Sequence, residues 1–544
     1  MATTAEPASE PTGEYTHAQI LTIMSGLMLG MFLGALDQTI VSTAIRTIAD
    51  DLNGLSIQAW ATTAYLITMT ITTPIYGKLG DLYGRKKLFM FAISIFVIGS
   101  ALCTLATSMY SLAVYRAIQG LGAGGLFTLV LAIIGDVVSP RERAKYSGYF
   151  MAVFGTSSVL GPVIGGFLAG QDTLLGMSGW RWVFLVNVPI GAIALFVVFR
   201  TLHVHHDAPD HRIRIDWWGA LALVVGLVPL LTVAEQGREW GWDSGRSLAC
   251  FVVGGIGLVA FFLVERVMKE SALFPLRLLR LRAVSVTVVA SIVIGAAMFG
   301  GILVLPLYMQ IVHGASPTES GFLMLPMVLG IMSAAMGSGI AISRTGNVRP
   351  FPIVGSALVV VGLFALSFTT ADTALWLVMV PMFVLGFGLG NCMQPLLLAV
   401  QSAVSPREIG VATSSATFFR QIGGTLGVAV FLSVLFSTVG GNIETELDAA
   451  ASSPEFQAAA EANGGFDPSV VASVQDDSSV LSTLPDALAH PIRAGFATSM
   501  DQVFLVASGV AVIAFLVLLL MPRVELRATS AAAERGARTA PAGE

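Results

Sequence analysis

The sequence has little charge. Only 12% of its 544 residues are Asp, Glu, Lys or Arg, while 55% are hydrophobic. A soluble globular domain typically has about 25% charged residues. Apolar character this strong along nearly the whole chain indicates that lipid rather than water surrounds most of the protein.

Cysteine and the motifs of common catalytic sites are also scarce. The three cysteines, Cys103, Cys250 and Cys392, lie far apart within apolar runs, which argues against a disulfide framework or a zinc site. No GxxxxGK[ST] phosphate loop occurs, and the apolar runs contain no paired carboxylates and no nucleophile with a base. We therefore expect neither an ATP-driven pump nor an enzyme, and no metal or organic cofactor.

The first 17 residues lack basic side chains. They contain Glu6, Glu10 and Glu14, unlike the cationic start of a secretory signal peptide. We expect this tail to stay in the cytoplasm and the first apolar run to act as an uncleaved anchor.

Long apolar runs dominate the rest of the chain. Each is about 20 residues long, the length that a helix needs to cross roughly 30 Å of hydrocarbon. Six runs precede a basic, histidine-containing break, two follow it, and six more come after Arg282. The fourteen predicted spans are 19–45, 57–76, 88–107, 110–137, 146–169, 181–200, 215–234, 247–265, 284–309, 319–342, 351–369, 374–400, 409–438 and 500–521.

These spans predict an all-α integral membrane protein with two six-helix bundles and two inserted linker helices. The predicted divisions are a cytoplasmic tail (1–17), a first bundle (18–201), a linker (202–283), a second bundle (284–521) with an external loop (439–498), and a cytoplasmic tail (522–544).

The distribution of basic residues predicts the orientation. With a cytoplasmic N-terminus, most of the 29 Lys and Arg residues fall in cytoplasmic loops and tails, as the positive-inside rule requires. Acidic residues concentrate on the other side, between Glu444 and Asp486. The basic residues predicted to be external are few: Arg46, Arg181, Arg238, Arg246 and Arg493.

Two cytoplasmic breaks contain the same pentapeptide, VSPRE, at 138–142 and 404–408. Each has the arrangement of a capping box and predicts a short helix at the membrane surface. A second echo pairs Gly77 and Gly84 with Gly339 and Gly346. The two six-helix halves are therefore predicted to be parallel repeats, an architecture in which the substrate path lies between the halves near the midplane.

Several motifs resemble the major facilitator superfamily, and within it the fourteen-helix drug:proton antiporters such as QacA and EmrB. The resemblance covers almost the whole chain. The motifs that carry it are LDQTIVSTAI (36–45), GKLGDLYGRKK (77–87), Arg116 in LAVYRAIQGLGAG, GTSSVLGPVIGG (155–166), WRWVFLVNVPIG (180–191) and RQIGGTLG (420–427). The resemblance implies the major facilitator fold and export of small amphipathic compounds in exchange for protons.

Two charged residues lie at similar depth in that fold. Asp37 is about 17 residues into the first span, where a lipid-facing charge costs roughly 2.5–3.5 kcal/mol or more. Arg116 lies about six residues into the fourth span from the outside. We expect these side chains to be neighbours that couple proton binding to the conformational change; the alternative is a permanent ion pair that holds helices together.

Arg420 lies near the midplane of the thirteenth span, which contains no acid. A role in proton coupling, contact with the substrate, and a structural bond to a carbonyl all remain open for it. The missing acid argues against recognition of polyvalent cations like that of QacA.

The loop after the second span is expected to be a conformational latch. Its Asp81 is placed to meet the N-terminus of a neighbouring helix, whereas Ser343 occupies the equivalent position of the second half. The alternative is that its basic residues only set the orientation. The proposed latch residues are Gly77, Asp81, Gly84, Arg85 and Lys86.

Glycine and proline in the fifth span suggest a bend beside the cavity, with plain helix packing as the alternative. These residues are Gly155, Gly161, Pro162, Gly165 and Gly166. Uncharged polar residues within the spans are candidates for lining the cavity, although interhelical hydrogen bonds would also explain them: Gln38, Gln119, Asn187, Asn391 and Gln394.

The histidine-containing break is interpreted as a solvated linker rather than a metal site; its residues are His203, His205, His206, His211, Asp207 and Asp210. The external loop is expected to be a spacer or a lid with short helices near 451–463.

The predicted function is proton-coupled export of amphipathic drugs or antibiotics from the plasma (inner) membrane by a monomer, without nucleic acid as a partner. Export of a lipid or of an endogenous metabolite such as a siderophore is the alternative, and uptake by symport or a sensor role is more remote.

Overall fold

The computed structural model describes residues 17–52, 59–138, 140–202, 216–268, 272–405, 408–462, 481, 484–524 and 526. Several predicted features lie wholly or partly outside these residues. They are the N-terminal tail, the histidine-containing break, the middle of the external loop and most of the C-terminal tail.

The first half consists of six predicted spans. Its helices are α1 (His17–Asp51), α2 (Ala59–Tyr83), α3 (Arg85–Cys103), α4 (Met109–Val137), α5 (Pro140–Ala169), α6 (Arg181–Leu185) and α7 (Asn187–Thr201). The sixth span is divided into α6 and α7. Proline explains the break, because the ring of Pro189 would collide with the carbonyl of Leu185, the residue at which α6 ends.

A small hairpin between α5 and α6 was not predicted. Strands β1 (Thr173–Leu174) and β2 (Met177–Ser178) pair antiparallel, with Thr173 opposite Ser178. The connecting residues, Leu175 and Gly176, both have positive φ, 51° and 82°. A two-residue connection with positive φ at both positions matches the right-handed twist of the strands.

The second half follows a 3₁₀ helix at Leu276–Arg280. Its helices are α10 (Arg282–Leu307, continued by a π turn at Tyr308–Val312), α11 (Pro317–Leu323), α12 (Leu325–Thr345), α13 (Pro350–Leu366), α14 (Leu375–Ala403), α15 (Ile409–Ala450), α16 (Pro454–Ala462) and α17 (Asp486–Leu519). Between the halves lie the linker helices α8 (Trp217–Trp240) and α9 (Gly245–Met268).

The elements match the predicted spans in number and order. Within the described ranges, eleven helical stretches are long and apolar enough to cross a membrane. Helices α2, α5 and α13 occupy the three remaining predicted spans. The prediction of an all-α, multi-pass membrane fold is confirmed.

The two halves repeat the same packing. In the first, α1 packs on α5 and α7, and α4 packs on α2 and α3. In the second, α10 packs on α15 and α17, and α14 packs on α12 and α13. The loop glycines that correspond in the two halves, Gly84 and Gly346, both have positive φ, at 89° and 69°. This conformation is readily adopted by glycine because it has no Cβ.

The halves meet mainly through two helix pairs, α2 with α15 and α5 with α12, and smaller contacts join α4 to α15 and α5 to α14. The linker helices pack on each other and, through α8, on α2 and α15, at the edge of this interface. We call the end of the bundle at which α2 ends and α15 begins the latch end. The opposite end carries the β hairpin and is called the hairpin end.

The prediction of short surface helices at the two VSPRE segments is wrong. Helix α5 begins at Pro140 and α15 begins at Ile409, and both continue through the bundle. In the second segment the Ser405 hydroxyl donates to Glu408 Oε2 at 2.7 Å, just before the helix begins.

The last predicted spans are too short at the hairpin end. Helix α15 runs to Ala450 and α17 begins at Asp486, so both extend beyond the predicted membrane boundary. The extensions pack on each other because Gly495 lets α17 approach the backbone of Ile443 closely. Asn442 Nδ2 also donates to Ser499 Oγ at 2.8 Å. The helix α16 lies within the predicted 451–463 region.

Candidate functional site

Asp37 lies at the centre of a buried polar network in the first half. Its side chain is fully buried in α1 and accepts three hydrogen bonds. Arg116 Nη1 donates to Oδ2 at 2.6 Å, and Gln119 Nε2 and Asn187 Nδ2 donate to Oδ1 at 2.9 and 2.7 Å. The carboxylate therefore joins α1 to α4 and α7.

Arg116 is held from several sides as well. It is 1% exposed, its Nη1 also donates to Gln119 Oε1 at 2.7 Å, and its Nε donates to the carbonyl of Ala61 at 3.4 Å. Its guanidinium carbon lies 4.1 Å from the centre of the Tyr65 ring, within cation–π range. The sequence interpretation did not include Tyr65, since an aromatic residue in an apolar span gives no separate signal.

The network does not open into the central cavity. Gln119 and Asn187 are both fully buried and bonded to Asp37, and Asn187 also donates to Ser100 Oγ at 3.0 Å. Their predicted place in the cavity lining is therefore corrected: they are partners of Asp37. Gln119 is three residues after Arg116, a spacing that puts both on one face of α4 and was a usable signal.

A cavity of about 200 Å³ lies between the two halves, lined by α1, α2, α4, α5, α10, α14 and α15. Gln38 and Gln394 line it, as predicted. Asn391 is not part of this wall: it faces α13, where an added Cβ at Gly355 would meet its Cβ, and its Nδ2 donates to the carbonyl of Phe387. Most of the wall is apolar and flexible or aromatic, with Met31, Met69, Met298, Met393, Phe127, Phe150, Phe154 and Phe299.

Arg420 is the charged residue of this cavity wall. Its helix, α15, is pressed against α10, since an added Cβ at Gly295 would meet the Arg420 backbone and one at Gly423 would meet the backbone of Ile292. Among the described residues, no carboxylate lines the cavity and none forms an ion pair with Arg420. Arg420 lies in the second half, as its place in the thirteenth span implied, and its predicted role in proton coupling or substrate contact stays a prediction.

Asp81 contacts the second half at the latch end. Its side chain is 9% exposed, and its Oδ2 accepts from the backbone N–H of Val411 at 3.0 Å. Val411 is in the first turn of α15, where unpaired N–H groups and the helix dipole favour a negative charge. Gly77 allows this approach, because a Cβ there would collide with Ser414.

Arg85 fixes Asp81 from within the first half. Its Nη2 donates to Asp81 Oδ1 at 2.8 Å, its Nη1 pairs with Asp136 Oδ2 at 2.9 Å, and it also donates to the carbonyl of Ala132. The ends of α2 and α4 are thereby tied together. Asp136 was not among the predicted residues, although its place in the last turn of α4, beside a basic loop, was a signal.

Lys86 lies apart from this group. Its Nζ donates to the carbonyl of Phe199 at 2.9 Å and lies 5.4 Å from the centre of that ring. It therefore joins the start of α3 to the end of α7. Its inclusion in the predicted latch is corrected, because these contacts of Lys86 are with α7 of its own half and not with Asp81 or the second half.

The glycines of α5 have different neighbours. Gly161 and Gly165 pack against Thr39 and Ile40 of α1, Gly155 faces Val328 of α12, and an added Cβ at Gly166 would meet nothing within 4 Å. Helix α5 is continuous from Pro140 to Ala169, and the side chain of Pro162 is outside the described part. Close packing accounts for Gly161 and Gly165; the bend stays a prediction.

Two further acids were missed by sequence reasoning. Glu265, 1% exposed in α9, accepts from the backbone N–H groups of Leu273 and Phe274 at 3.2 and 3.0 Å. Asp501 of α17 accepts from the hydroxyl of Thr369 at 3.4 Å. Asp501 stood at the predicted start of the last span and resembled a surface residue, but α17 begins fifteen residues earlier, at Asp486.

Three features described above are typical of a transporter. They are a buried acid–base network, a cavity between repeated halves, and a charged contact that closes one end of the bundle. The sequence model of the Major Facilitator Superfamily matches residues 27–428. The chain belongs to the Major Facilitator Superfamily.

Relatives of this facilitator include two proteins of Bacillus subtilis (strain 168). Multidrug resistance protein 3 is 35% identical over 513 residues, which cover 93% of this chain and 96% of the relative. Multidrug transporter protein MdtP is 37% identical over 425 residues, which cover 78% of this chain and 76% of the relative. Both relatives match over most of their own length.

The fold is similar to that of the proton:xylose symporter XylE, with a TM-score of 0.58 and 15% identity, over 96% of this facilitator and 99% of that chain. At this identity the likeness concerns the fold alone.

Proposed function

We propose that this facilitator is a proton-driven exporter of small amphipathic compounds, drugs among them, which works by alternating access. The observation that carries the proposal is Asp37: a fully buried carboxylate of a membrane helix, held by three side chains beside a cavity that lies between two halves. Ionisable groups within a membrane protein generally mark ion or proton pathways.

The composition of the cavity wall favours a cargo with a large apolar part. Methionine and phenylalanine side chains adapt to ligands of different shape without needing matched hydrogen bonds. The names of the two Bacillus subtilis relatives refer to multidrug resistance and multidrug transport, which supports the same class of cargo.

Proton binding at Asp37 would change how three helices are held. The ionised carboxylate accepts from α4 and α7, and protonation would remove its charge and convert one oxygen into a donor. The next residue on α1, Gln38, lines the cavity. A change in the hydrogen bonds that fix α1 at Asp37 would therefore also shift Gln38, which is in the same helical turn and lines the cargo cavity.

The latch end gives the second element of alternating access. Asp81 bonds to the start of α15 across the halves, so this end opens only when that bond breaks. We propose that the latch end faces the cytoplasm, that both termini lie there, and that the protein works as a monomer in the plasma membrane.

Purified protein in liposomes with an imposed pH gradient tests the coupling. We expect Asp37→Asn to reach the membrane folded and to lose gradient-driven efflux of a fluorescent amphipathic dye by at least tenfold. Asp448→Asn, an exposed acid in the extension of α15, is the matched control and keeps the wild-type rate. Undiminished pumping by Asp37→Asn would leave the pair with Arg116 as a structural ion pair and reject the coupling.

A further inference from the structure

The central cavity carries an unbalanced positive charge. Arg420 is the charged side chain of its wall, and within the described ranges no carboxylate shares that wall or pairs with Arg420. Asp37 does not compensate it, because that carboxylate is enclosed in the first half by Arg116, Gln119 and Asn187. Arg420 is half-buried and faces the cavity, so an anionic ligand bound there would supply the partner that the wall lacks.

Gln394 gives a second, independent observation. It lies on α14, lines the same cavity and is only 6% exposed, yet its Nε2 has no hydrogen-bond partner within the described part of the protein. Buried donors are nearly always paired, so this amide N–H can bond an acceptor that a ligand brings into the adjoining cavity.

The surroundings of Arg420 suit a compact anionic head group. Arg420 also lines a small crevice between α10, α14 and α15, which adjoins the cavity and is lined by Ser291 and Leu396 as well. The guanidinium presents its donors in a planar fork, which matches the two oxygens of a carboxylate or a sulfonate. The phenylalanines of α4 and α5, Phe127, Phe150 and Phe154, form the apolar wall of the same cavity.

We propose that the cavity selects amphipathic anions: Arg420 and Gln394 bind the anionic head, and the phenylalanine wall of α4 and α5 binds the apolar body. This inference rests on the proposed export function and specifies its cargo. Cations of the same size are disfavoured, because they would enter a low-dielectric cavity beside an uncompensated guanidinium.

The test compares three probes with one fluorophore: dansylglycine (anion), its neutral amide and dansylethylenediamine (cation). Binding to the full-length protein in lipid nanodiscs is measured from dansyl fluorescence, without a pH gradient. We expect wild type to bind the anion at least tenfold more tightly than the other two. Equal affinities, or a preference for the cation, would overturn the inference.

Variants assign the preference to the residues named. Arg420→Gln is expected to reduce the preference for the anion to less than threefold, Arg420→Lys to keep most of it, and Gln394→Ala to weaken anion binding several-fold. Arg282→Gln removes an exposed charge from the same half and is the matched control, with the preference unchanged. A preference that survives in Arg420→Gln would contradict the assignment; if that variant does not fold, the Lys and Ala variants decide.

Failure of the export proposal is distinguishable from failure of this inference. In liposomes with a pH gradient, efflux of the cation but not of the anion would leave proton-driven export standing and reject anion selection. Efflux of none of the three, together with selective binding of the anion, would reject export and retain the anion site.

Discussion

At the scale of single residues, Asp37 and Arg116 show how a buried charge pair differs from a surface one. Both are almost completely enclosed, so each depends on the other and on neutral partners for solvation. Gln119 contributes twice, since it donates to Asp37 and accepts from Arg116. The pair is thereby part of a network, in which the loss of one member leaves an unpaired group.

Arg116→Met should be much more destabilising than the loss of an ordinary contact. It leaves the Asp37 carboxylate buried without its cation, which costs about 3–5 kcal/mol in comparable sites. The double variant Asp37→Asn/Arg116→Met, which removes both charges, is expected to recover most of this loss. The thermal unfolding midpoint of the purified protein in detergent measures both effects.

A double variant as unstable as Arg116→Met would contradict this account. It would show that packing of the arginine against Tyr65, rather than its charge, supports the site.

At the scale of elements, α2 and α15 approach each other closely at the latch end. Gly77 brings the helices together, Gly84 turns the chain between α2 and α3, and Asp81 meets the first turn of α15. In the second half the turn glycine recurs as Gly346, but Ser343 takes the place of the acid. The repeat is therefore structural, while the charged contact belongs to the first half.

Asp81→Asn should favour opening of the latch end. It removes a charge from a helix N-terminus and weakens the bond to Val411, a loss of about 1–2 kcal/mol. That loss shifts the ratio of open to closed states about 5- to 30-fold toward open. Spin labels at Tyr83 and Arg344, exposed on the two halves at this end, would report a larger fraction of long distances.

Ser343→Ala is the control at the equivalent position of the second half, and it should leave the distance distribution unchanged. A distribution unchanged in Asp81→Asn as well would mean that Gly77 and its packing close this end without help from the charge.

At the scale of the whole molecule, the proposed orientation places both termini in the cytoplasm, as an even number of spans and the positive-inside rule predict. In that orientation the extensions of α15 and α17 would project outside the cell. Helix α15 has 42 residues. At 1.5 Å per residue it is about 63 Å long, roughly twice the thickness of the hydrocarbon.

Cysteine labelling tests this orientation. In a variant without the native cysteines, a membrane-impermeant maleimide should label Asp448→Cys in intact cells. It should label Arg344→Cys only after the membrane is permeabilised. Both sites are exposed, so access to the thiol is limited by the membrane alone. The reverse labelling pattern would show the opposite orientation in the membrane and reject the predicted cytoplasmic termini.

The sequence alone determined the number and order of the spans, the repeat and the family, because hydrophobic length and turn glycines are local properties of the chain. It also brought Asp37 and Arg116 together, since depth in a helix follows from counting residues. Only the tertiary structure decided which way side chains on those helices face. Gln119 and Asn187 turn inward to Asp37, and Lys86 turns to α7. Gln394 and Arg420 face the cavity because the packing of α14 and α15 orients those faces toward it.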